Sequence, residues 1–408
     1  MAAPPHRMTI AVRTWGAGSP VVLIHGASGS WNHWVRNIDA LAEHHRVLAV
    51  DLPGYGESEL TPDIHDIHDV AAALVGALDN ALGPTVRFDL VAFSFGGLVG
   101  TLSARMLGDR VGRLVLIGTG GIGMAGRVPD RPAGARPADE GERQRQDLAR
   151  FMFSSIDAVT DEALTLHLEN LANARFESGN LPGSTLTSKA LPFVDAELHA
   201  LYSDADAYSG GNPAEPFSRL RAVRPDVHCR VITGAGHWSP YETPDQINAA
   251  ILDILSRPSV AIRPATATDR PAVERIVEAA YEGYVEAMGQ KPAPMLDDYA
   301  VLIDRGVVHV AEGGGELVGL IVLWPEPDHL HVDNIAVDPA TQGSGIGGRL
   351  LRAADLAARA AGLDEIRLYT HESMTANLGY YPSHGFTETH RAVENSYDRV
   401  YFSRSVPS

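Results

Sequence analysis

The chain has 408 residues, 45% of them hydrophobic and 21% charged, with 40 Gly and 26 Pro, a composition that excludes disordered and collagen-like proteins. Such a length predicts two or three domains, each able to bury a core of its own. A net charge of −18 argues against nucleic acid or an anionic membrane as the main partner, so small-molecule substrates are expected.

The single cysteine, Cys229, cannot form an intramolecular disulfide, and no cysteine cluster of metal-binding type exists, so no metal is expected. Met1–Arg7 lacks the apolar core of a signal peptide, and runs such as Val21–Ile24 are far shorter than the roughly 20 residues of a membrane span. A cytoplasmic enzyme is the expectation.

From Met8 to Gly118, short β-branched runs alternate with helical patterns. Strands are predicted at Val21–Ile24, Arg46–Val50, Phe88–Phe93 and Arg113–Ile117, the pattern of a parallel sheet covered on both faces. Between about 119 and 195 the pattern breaks: Gly120–Arg136 is rich in Gly, Pro and Arg, and Asp139–Leu171 reads as polar helices, an inserted cap. Strands resume at Leu198–Tyr202 and Arg230–Thr233, and a helix over Pro244–Leu255 closes the first domain, residues 1–257. After the breaker Ser256–Ser259 a second domain, 258–408, is predicted. Its helix after Thr268-Asp269 is capped there. Strands follow at Val307–Glu312, Leu317–Trp324 and His331–Val337, then a helix over Ile346–Ala361 and a strand at Ile366–Thr370. Each half carries the same net charge, −9, so neither is a basic docking module.

Ser94 stands in Val91-Ala92-Phe93-Ser94-Phe95-Gly96-Gly97, between a predicted strand and a predicted helix. A serine on so tight a turn exposes its hydroxyl, and small residues two before and two after let strand and helix approach. An alcohol nucleophile needs a base, and the base an orienting acid. His237 follows the last strand, and Asp206 and Asp204 follow the one before. Either aspartate can serve as the acid in a loop, and the strand register favours Asp206. All lie at carboxyl ends of strands, where open α/β sheets bind ligands. The N–H groups of Ala27, after the first predicted strand, and of Phe95 are the natural oxyanion donors. His25 is read as structural, and Asp51 as fixing its own loop. Gly118-Thr119-Gly120-Gly121-Ile122-Gly123 matches a dinucleotide fingerprint, but Arg127–Pro132 cannot continue the helix such a site requires.

Together His25-Gly26, Asp51–Ser58, Phe93–Gly97 and Gly234-Ala235-Gly236-His237-Trp238 resemble the α/β-hydrolases over residues 8–256. The resemblance implies a Ser94 nucleophile, a His237 base and an Asp206 acid, with no cofactor. Ala92 departs from the family's usual glycine, and Phe93 stands where a histidine is common.

In the second half, Asp338-Pro339-Ala340-Thr341-Gln342-Gly343-Ser344-Gly345-Ile346-Gly347-Gly348 is a Gly-rich turn opening a long helix. It offers unpaired N–H groups and the positive end of a helix dipole to a diphosphate. With Asn334–Pro339 before it and Asn377–Phe386 after it, this loop resembles that of the GNAT acetyltransferases, over roughly residues 260–405. The resemblance implies an acetyl-CoA site, with pantetheine along Ile335, Ala336 and Val337 and pyrophosphate on Gln342, Gly343, Ser344, Gly345, Ile346 and Gly347. Asn377 would contact the cofactor and Tyr381 would protonate the departing thiolate, while Tyr380 is read as core. Asp333 or His331 is the candidate base, and the Tyr281/Tyr284/Met288 stripe is core or acceptor-pocket lining. The fold expected is an α/β-hydrolase sheet with a helical cap, followed by a GNAT-type α/β domain: a serine hydrolase of ester, amide, thioester or C–C bonds fused to an acetyl-CoA-dependent N-acetyltransferase. The alternative is that only one half is catalytic and the other a binding or sensor module.

Overall fold

Residues 9–124, 139–257 and 259–406 are described by the computed structural model. The chain divides into two units, Met1–Arg257 and Pro258–Ser408.

Seven strands build the sheet of the first unit: β1 (Val12–Trp15), β2 (Pro20–Ile24), β3 (Arg46–Val50), β4 (Phe88–Phe93), β5 (Val111–Ile117), β6 (Glu197–Ser203) and β7 (His228–Ile232), in the order β1-β3-β2-β4-β5-β6-β7. All pairs are parallel except β1 with β3. Alternate residues feed opposite faces. Val22, Ile24, Leu90 and Ala92 join a core with the helices Ile67–Leu82 and Phe95–Leu107. Val21, Leu23, Val91 and Phe93 join another with Ile38–Ala42 and Pro244–Ser256. Burial on both faces is why these strands read as continuous apolar runs. Strand β1 escaped the sequence reading because Val12–Trp15 is short, half-exposed and at the sheet edge.

The register sets the carboxyl ends side by side: Ile24 pairs with Ala92, Phe93 with Ile117, Ile117 with Leu201 and Ser203 with Ile232. The loops after β2, β4, β5, β6 and β7 therefore meet at one edge. Helices Glu140–Met152, Asp161–Ala172 and Leu186–Ala190 lie between β5 and β6. Asn170, buried on the second of these, accepts from the Ser30 hydroxyl at 2.9 Å and donates to Asn32 at 2.8 Å, tying that helix to the loop after β2.

The second unit contains β8 (Val260–Pro264), β9 (Val308–Gly313), β10 (Glu316–Pro325), β11 (Leu330–Val337), β12 (Glu365–His371), β13 (Thr387–Glu394) and β14 (Tyr397–Ser405), ordered β13-β14-β12-β11-β10-β9-β8. Helix Arg270–Tyr281 covers one face and Ile346–Ala360 the other. The one parallel pair, β11 with β12, is joined only from Leu330↔Ile366 to Val332↔Leu368, and beyond it the strands part. At the parting, Val322 and Leu323 of β10 face Asn334 and Val332, leaving Asp333 as the extra residue of a β-bulge. Asp269 is the N-cap residue of helix Arg270–Tyr281, as expected, but its side chain makes no cap bond to that helix. It accepts instead from the Thr266 N–H at 2.7 Å and from Arg263 at 2.7 Å, closing a capping box with Thr266 around the short turn Ala267–Asp269. The hairpin β13–β14 was not predicted, since β13 is exposed along nearly its whole length and carries no apolar alternation.

Candidate active sites

Ser94 ends β4 and begins helix Phe95–Leu107 with φ 53° and ψ −116°, a left-handed conformation costing a non-glycine residue on the order of 1–3 kcal/mol. Neighbours hold it there: its N–H donates to the Ile117 carbonyl at 2.8 Å, and its own carbonyl accepts from Gly97 at 2.9 Å. A Cβ on Gly96 would stand 2.3 Å from the His25 carbonyl oxygen, so only glycine lets helix and loop meet. The methyl of Ala92 is accommodated by Gly100, where a Cβ would lie 3.1 Å from it.

The Ser94 hydroxyl is 2.8 Å from His237 Nε2, and His237 Nδ1 is 2.8 Å from Asp206 Oδ2. Asp206 is buried and its other oxygen accepts from the Tyr208 N–H at 2.8 Å. With Asp206 accepting from the Nδ1–H, Nε2 is left free to accept from the hydroxyl. Asp204 points elsewhere: it is exposed and accepts from the Gly234 N–H at 2.8 Å. The imidazole is packed by Tyr208 and Phe93, with ring centroids at 4.5 and 5.1 Å. Glu242 anchors the histidine loop, accepting from Gly236 at 2.7 Å and from the Ser154 N–H at 3.1 Å.

The loop after β2 closes on Ser94, since a Cβ on Gly26 would lie 3.2 Å from Ser94 Cβ. His25 Nδ1 donates to the Gly26 carbonyl at 2.7 Å, and its Nε2 accepts from the Leu52 N–H at 2.9 Å. His33 Nδ1 accepts from the Gly26 N–H at 3.2 Å. Two imidazoles thus grip Gly26 from both ends. The peptide whose carbonyl His25 holds is the one that carries the Ala27 N–H, and a planar trans peptide points that N–H the opposite way. Among the described residues the Ala27 N–H has no acceptor. The Phe95 N–H belongs to the first helical position, where no intrahelical partner exists. Burial lowers the His25 pKa to about 4 and pushes His33 well below its usual value, so both stay neutral. His25 makes a structural contact, and that contact is with the peptide that carries the Ala27 N–H. His33 was missed because it stands in no motif. Asp51 fixes its loop, accepting from Trp31 at 2.7 Å and Glu57 at 3.0 Å. Gly118–Gly123 is itself not helical, Arg127–Pro132 lies outside the described residues, and Gly120 donates to the Ser94 carbonyl at 3.3 Å.

In the second unit, a cavity at the parting of β11 and β12 is lined by Ile335, Asn377 and Tyr381, together with Tyr281, Met288 and Asp333. Tyr284 does not reach it. Burial raises the Tyr381 pKa, so the phenol keeps its proton. Asn377 donates to Thr370 at 2.9 Å. Asp333 accepts from the Tyr369 hydroxyl at 3.1 Å, and His331, 3.7 Å away, holds its carboxyl below the usual range. Ala336 joins the core under helix Arg270–Tyr281, while Val337 packs against the core that contains Ile346 and Leu350.

Gly345, with φ 87°, caps helix Ile346–Ala360. Among the described residues the N–H groups of Gly343, Gly345, Ile346 and Gly347 have no acceptor. Gln342 turns back to the Val337 carbonyl at 3.3 Å and Ser344 to that of Thr341 at 2.5 Å, which leaves the amides uncovered. Beyond Val332 the β12 side of β11 has no strand partner. These open amides and this free strand edge fit a diphosphate joined to an extended amide chain. Gly347 carries a second constraint, because a Cβ there would stand 2.4 Å from the Tyr380 hydroxyl. Tyr380 packs against the core as expected, and its hydroxyl also reaches the start of helix Ile346–Ala360. Arg399, which also lines the cavity, was missed because only the β12–β14 pairing, His371↔Arg399, brings it there.

Among the described residues no helix is long and apolar enough to cross a membrane, and no group of three or more His, Cys, Asp or Glu is placed to hold a metal ion. Residues 21–250 match the alpha/beta hydrolase family and residues 304–388 the acetyltransferase (GNAT) domain. Over 259 residues the chain is 29% identical to a 2-hydroxy-6-oxononadienedioate/2-hydroxy-6-oxononatrienedioate hydrolase of Paraburkholderia phymatum, covering 59% of this chain and 89% of the relative. It is 27% identical over 246 residues to the dihydrolipoyllysine-residue acetyltransferase component of an acetoin cleaving system of Pseudomonas putida, covering 59% of this chain and 64% of that one. A solved thermophilic esterase of Thermogutta terrifontis is 26% identical, with 62% of this chain and 96% of that chain covered and a TM-score of 0.47.

Proposed function

This chain belongs to the alpha/beta hydrolase family, and from that premise we propose that its first unit hydrolyses a small carbonyl substrate through an acyl-enzyme on Ser94. The observation that carries the proposal is the unbroken relay from Ser94 through His237 to Asp206, with both hydrogen bonds at 2.8 Å. His237 takes the hydroxyl proton as Ser94 adds to the carbonyl carbon, then returns it to the leaving group, and water repeats the cycle. Ala27 and Phe95 N–H groups receive the oxyanion. Esters, amides, thioesters and activated C–C bonds all suit this mechanism, and the similarity to a hydrolase named for 2-hydroxy-6-oxo dienedioates supports the C–C class. A fluorophosphonate should label Ser94 stoichiometrically, and labelling should vanish in His237→Ala. An unlabelled native chain refutes the acyl-enzyme.

The second unit, in our reading, is an N-acetyltransferase using acetyl-CoA, which when bound supplies an acetyl thioester. Gln342–Gly347 would hold the diphosphate on open amides and the free edge at Ile335–Val337 the pantetheine, with Asn377 beside them. Tyr381, kept protonated by burial, is the proton donor at the sulfur, and Asp333 receives the acceptor's ammonium proton, directly or through water. In net terms an ammonium and a thioester give an amide, a thiol and one proton. Tyr381→Phe should lower the transfer rate more than the affinity for coenzyme A measured by calorimetry; equal losses make Tyr381 a binding residue. A soluble, cytoplasmic, two-activity enzyme is the whole-chain proposal.

A further inference from the structure

We propose that the cavity of the second unit seats a free α-amino acid with an apolar or aromatic side chain, Asp333 taking its ammonium group and Arg399 its carboxylate. The inference rests on the N-acetyltransferase reading for its chemistry and on the cavity for its selectivity.

One carboxylate and one guanidinium line the cavity, and both are organised around a single side chain. The Tyr369 hydroxyl donates to Asp333 at 3.1 Å, and the Arg399 guanidinium carbon lies 3.9 Å above the centre of the same ring. Arg399 is steadied further by Glu394 at 3.1 Å, which engages one terminal nitrogen and leaves part of a five-donor fork for another carboxylate. The Arg399 side chain is 15% exposed and that of Asp333 27%, so each charge is partly desolvated and attracts its complement more strongly than a surface group. With the carboxylate at the hydroxyl and the guanidinium over the ring face of one tyrosine, the cavity offers opposite charges within reach of a small ligand that carries both an ammonium and a carboxylate.

The remaining walls define the side chain. Met288, Pro292 and the rings of Tyr281 and Tyr397 supply apolar surface. Besides Tyr281, Tyr369, Tyr381 and Tyr397, His371 is the remaining titratable group on the lining, and its Nδ1 accepts from the Ser373 N–H at 3.1 Å. The wall at 288–294 is fixed by Tyr397 donating to the Lys291 carbonyl at 2.7 Å and by Gln290 donating to Ser396 at 2.8 Å. A diamine would set its second cation against Arg399, and an amide or peptide would leave the guanidinium unmet.

The test compares phenylalanine, phenylalaninamide and 2-phenylethylamine on the full chain, by calorimetry with coenzyme A present and by acetyl transfer. The native chain should bind the free acid at least about tenfold more tightly than either analogue, the order expected of a hydrogen-bonded charged group. Arg399→Gln should erase that preference with unchanged affinity for coenzyme A, and Asp333→Asn should weaken all three alike. Equal binding of acid and amide by the native chain, or a preference surviving Arg399→Gln, overturns the proposal. Acetylation of all three with equal kcat/KM refutes the amino-acid seat and leaves the transferase standing. Selective binding of the free acid with no acetylation refutes the transferase and leaves the seat.

Discussion

His25 gives the first unit a built-in acid sensitivity whose size follows from its surroundings. The ring is fully buried, donates to the Gly26 carbonyl and accepts from the Leu52 N–H, so protonation would strip Leu52 of its acceptor inside the core. Burial brings the folded pKa to about 4, against 6.5 for a free histidine. Below pH 6.5 the unfolded chain gains a proton that the folded chain refuses. Folding stability therefore falls as the pH drops from 6.5 to about 4, by about 1.4 kcal/mol per pH unit and about 3 kcal/mol in all, and this contribution is fully present above pH 6.5. In His25→Gln the amide supplies one donor and one acceptor without titrating. Urea unfolding of both proteins between pH 4.5 and 7.5, followed by the fluorescence of buried Trp34 and Trp238, should give a variant curve flatter by one proton in that window, whatever its stability at pH 7.5. Parallel curves would mean that His25 is charged in the folded protein and that the account of the oxyanion loop is wrong.

Asp206→Asn should lower the esterase kcat by roughly 10³–10⁴, because the amide no longer fixes the productive tautomer. Asp204→Asn, which alters only the bond to Gly234, should leave kcat within about threefold of native, a small loop perturbation; comparable losses from both would remove Asp206 from the relay. Gly96→Ala forces a methyl against the His25 carbonyl, at 2.3 Å from rigid backbone, and should cost more than about 3 kcal/mol on urea unfolding; a neutral result would show that helix and loop do not meet there. Gly345→Val places a branched residue at φ 87° and should raise the dissociation constant of coenzyme A by at least about tenfold, with unchanged esterase activity. Equal affinity would remove the loop from the cofactor site.

What could be read from the sequence follows from where the energy lies. Val21–Ile24 and Phe88–Phe93 are buried on both faces, so their composition announces a parallel strand, and a serine, an aspartate and a histidine after such strands are brought together by the sheet's own geometry. Glycines at 96 and 345 announce turns, since few other residues fit. Features that depend on remote pairing left no such trace. Strand β13 is an exposed hairpin arm, and its turn at Asn395-Ser396, with φ of 50° and 65°, lacks the usual glycine. Arg399 reaches the cavity only through the pairing of β12 with β14, and His33 meets Gly26 only because the turn Trp31–Trp34 bends the loop after β2 back on itself. Asp204 and Asp206 differ by two residues, and it is the turn after β6 that aims one at the imidazole and the other at Gly234.

The most direct test is a rapid-quench experiment with 4-nitrophenyl acetate and intact-mass detection. The native chain should release a burst of nitrophenol equal to the enzyme concentration while acquiring one acetyl group on the peptide that holds Ser94, and Ser94→Ala should show neither. Linear release from the first turnover with no modified peptide, or an equal burst from Ser94→Ala, would contradict the serine relay.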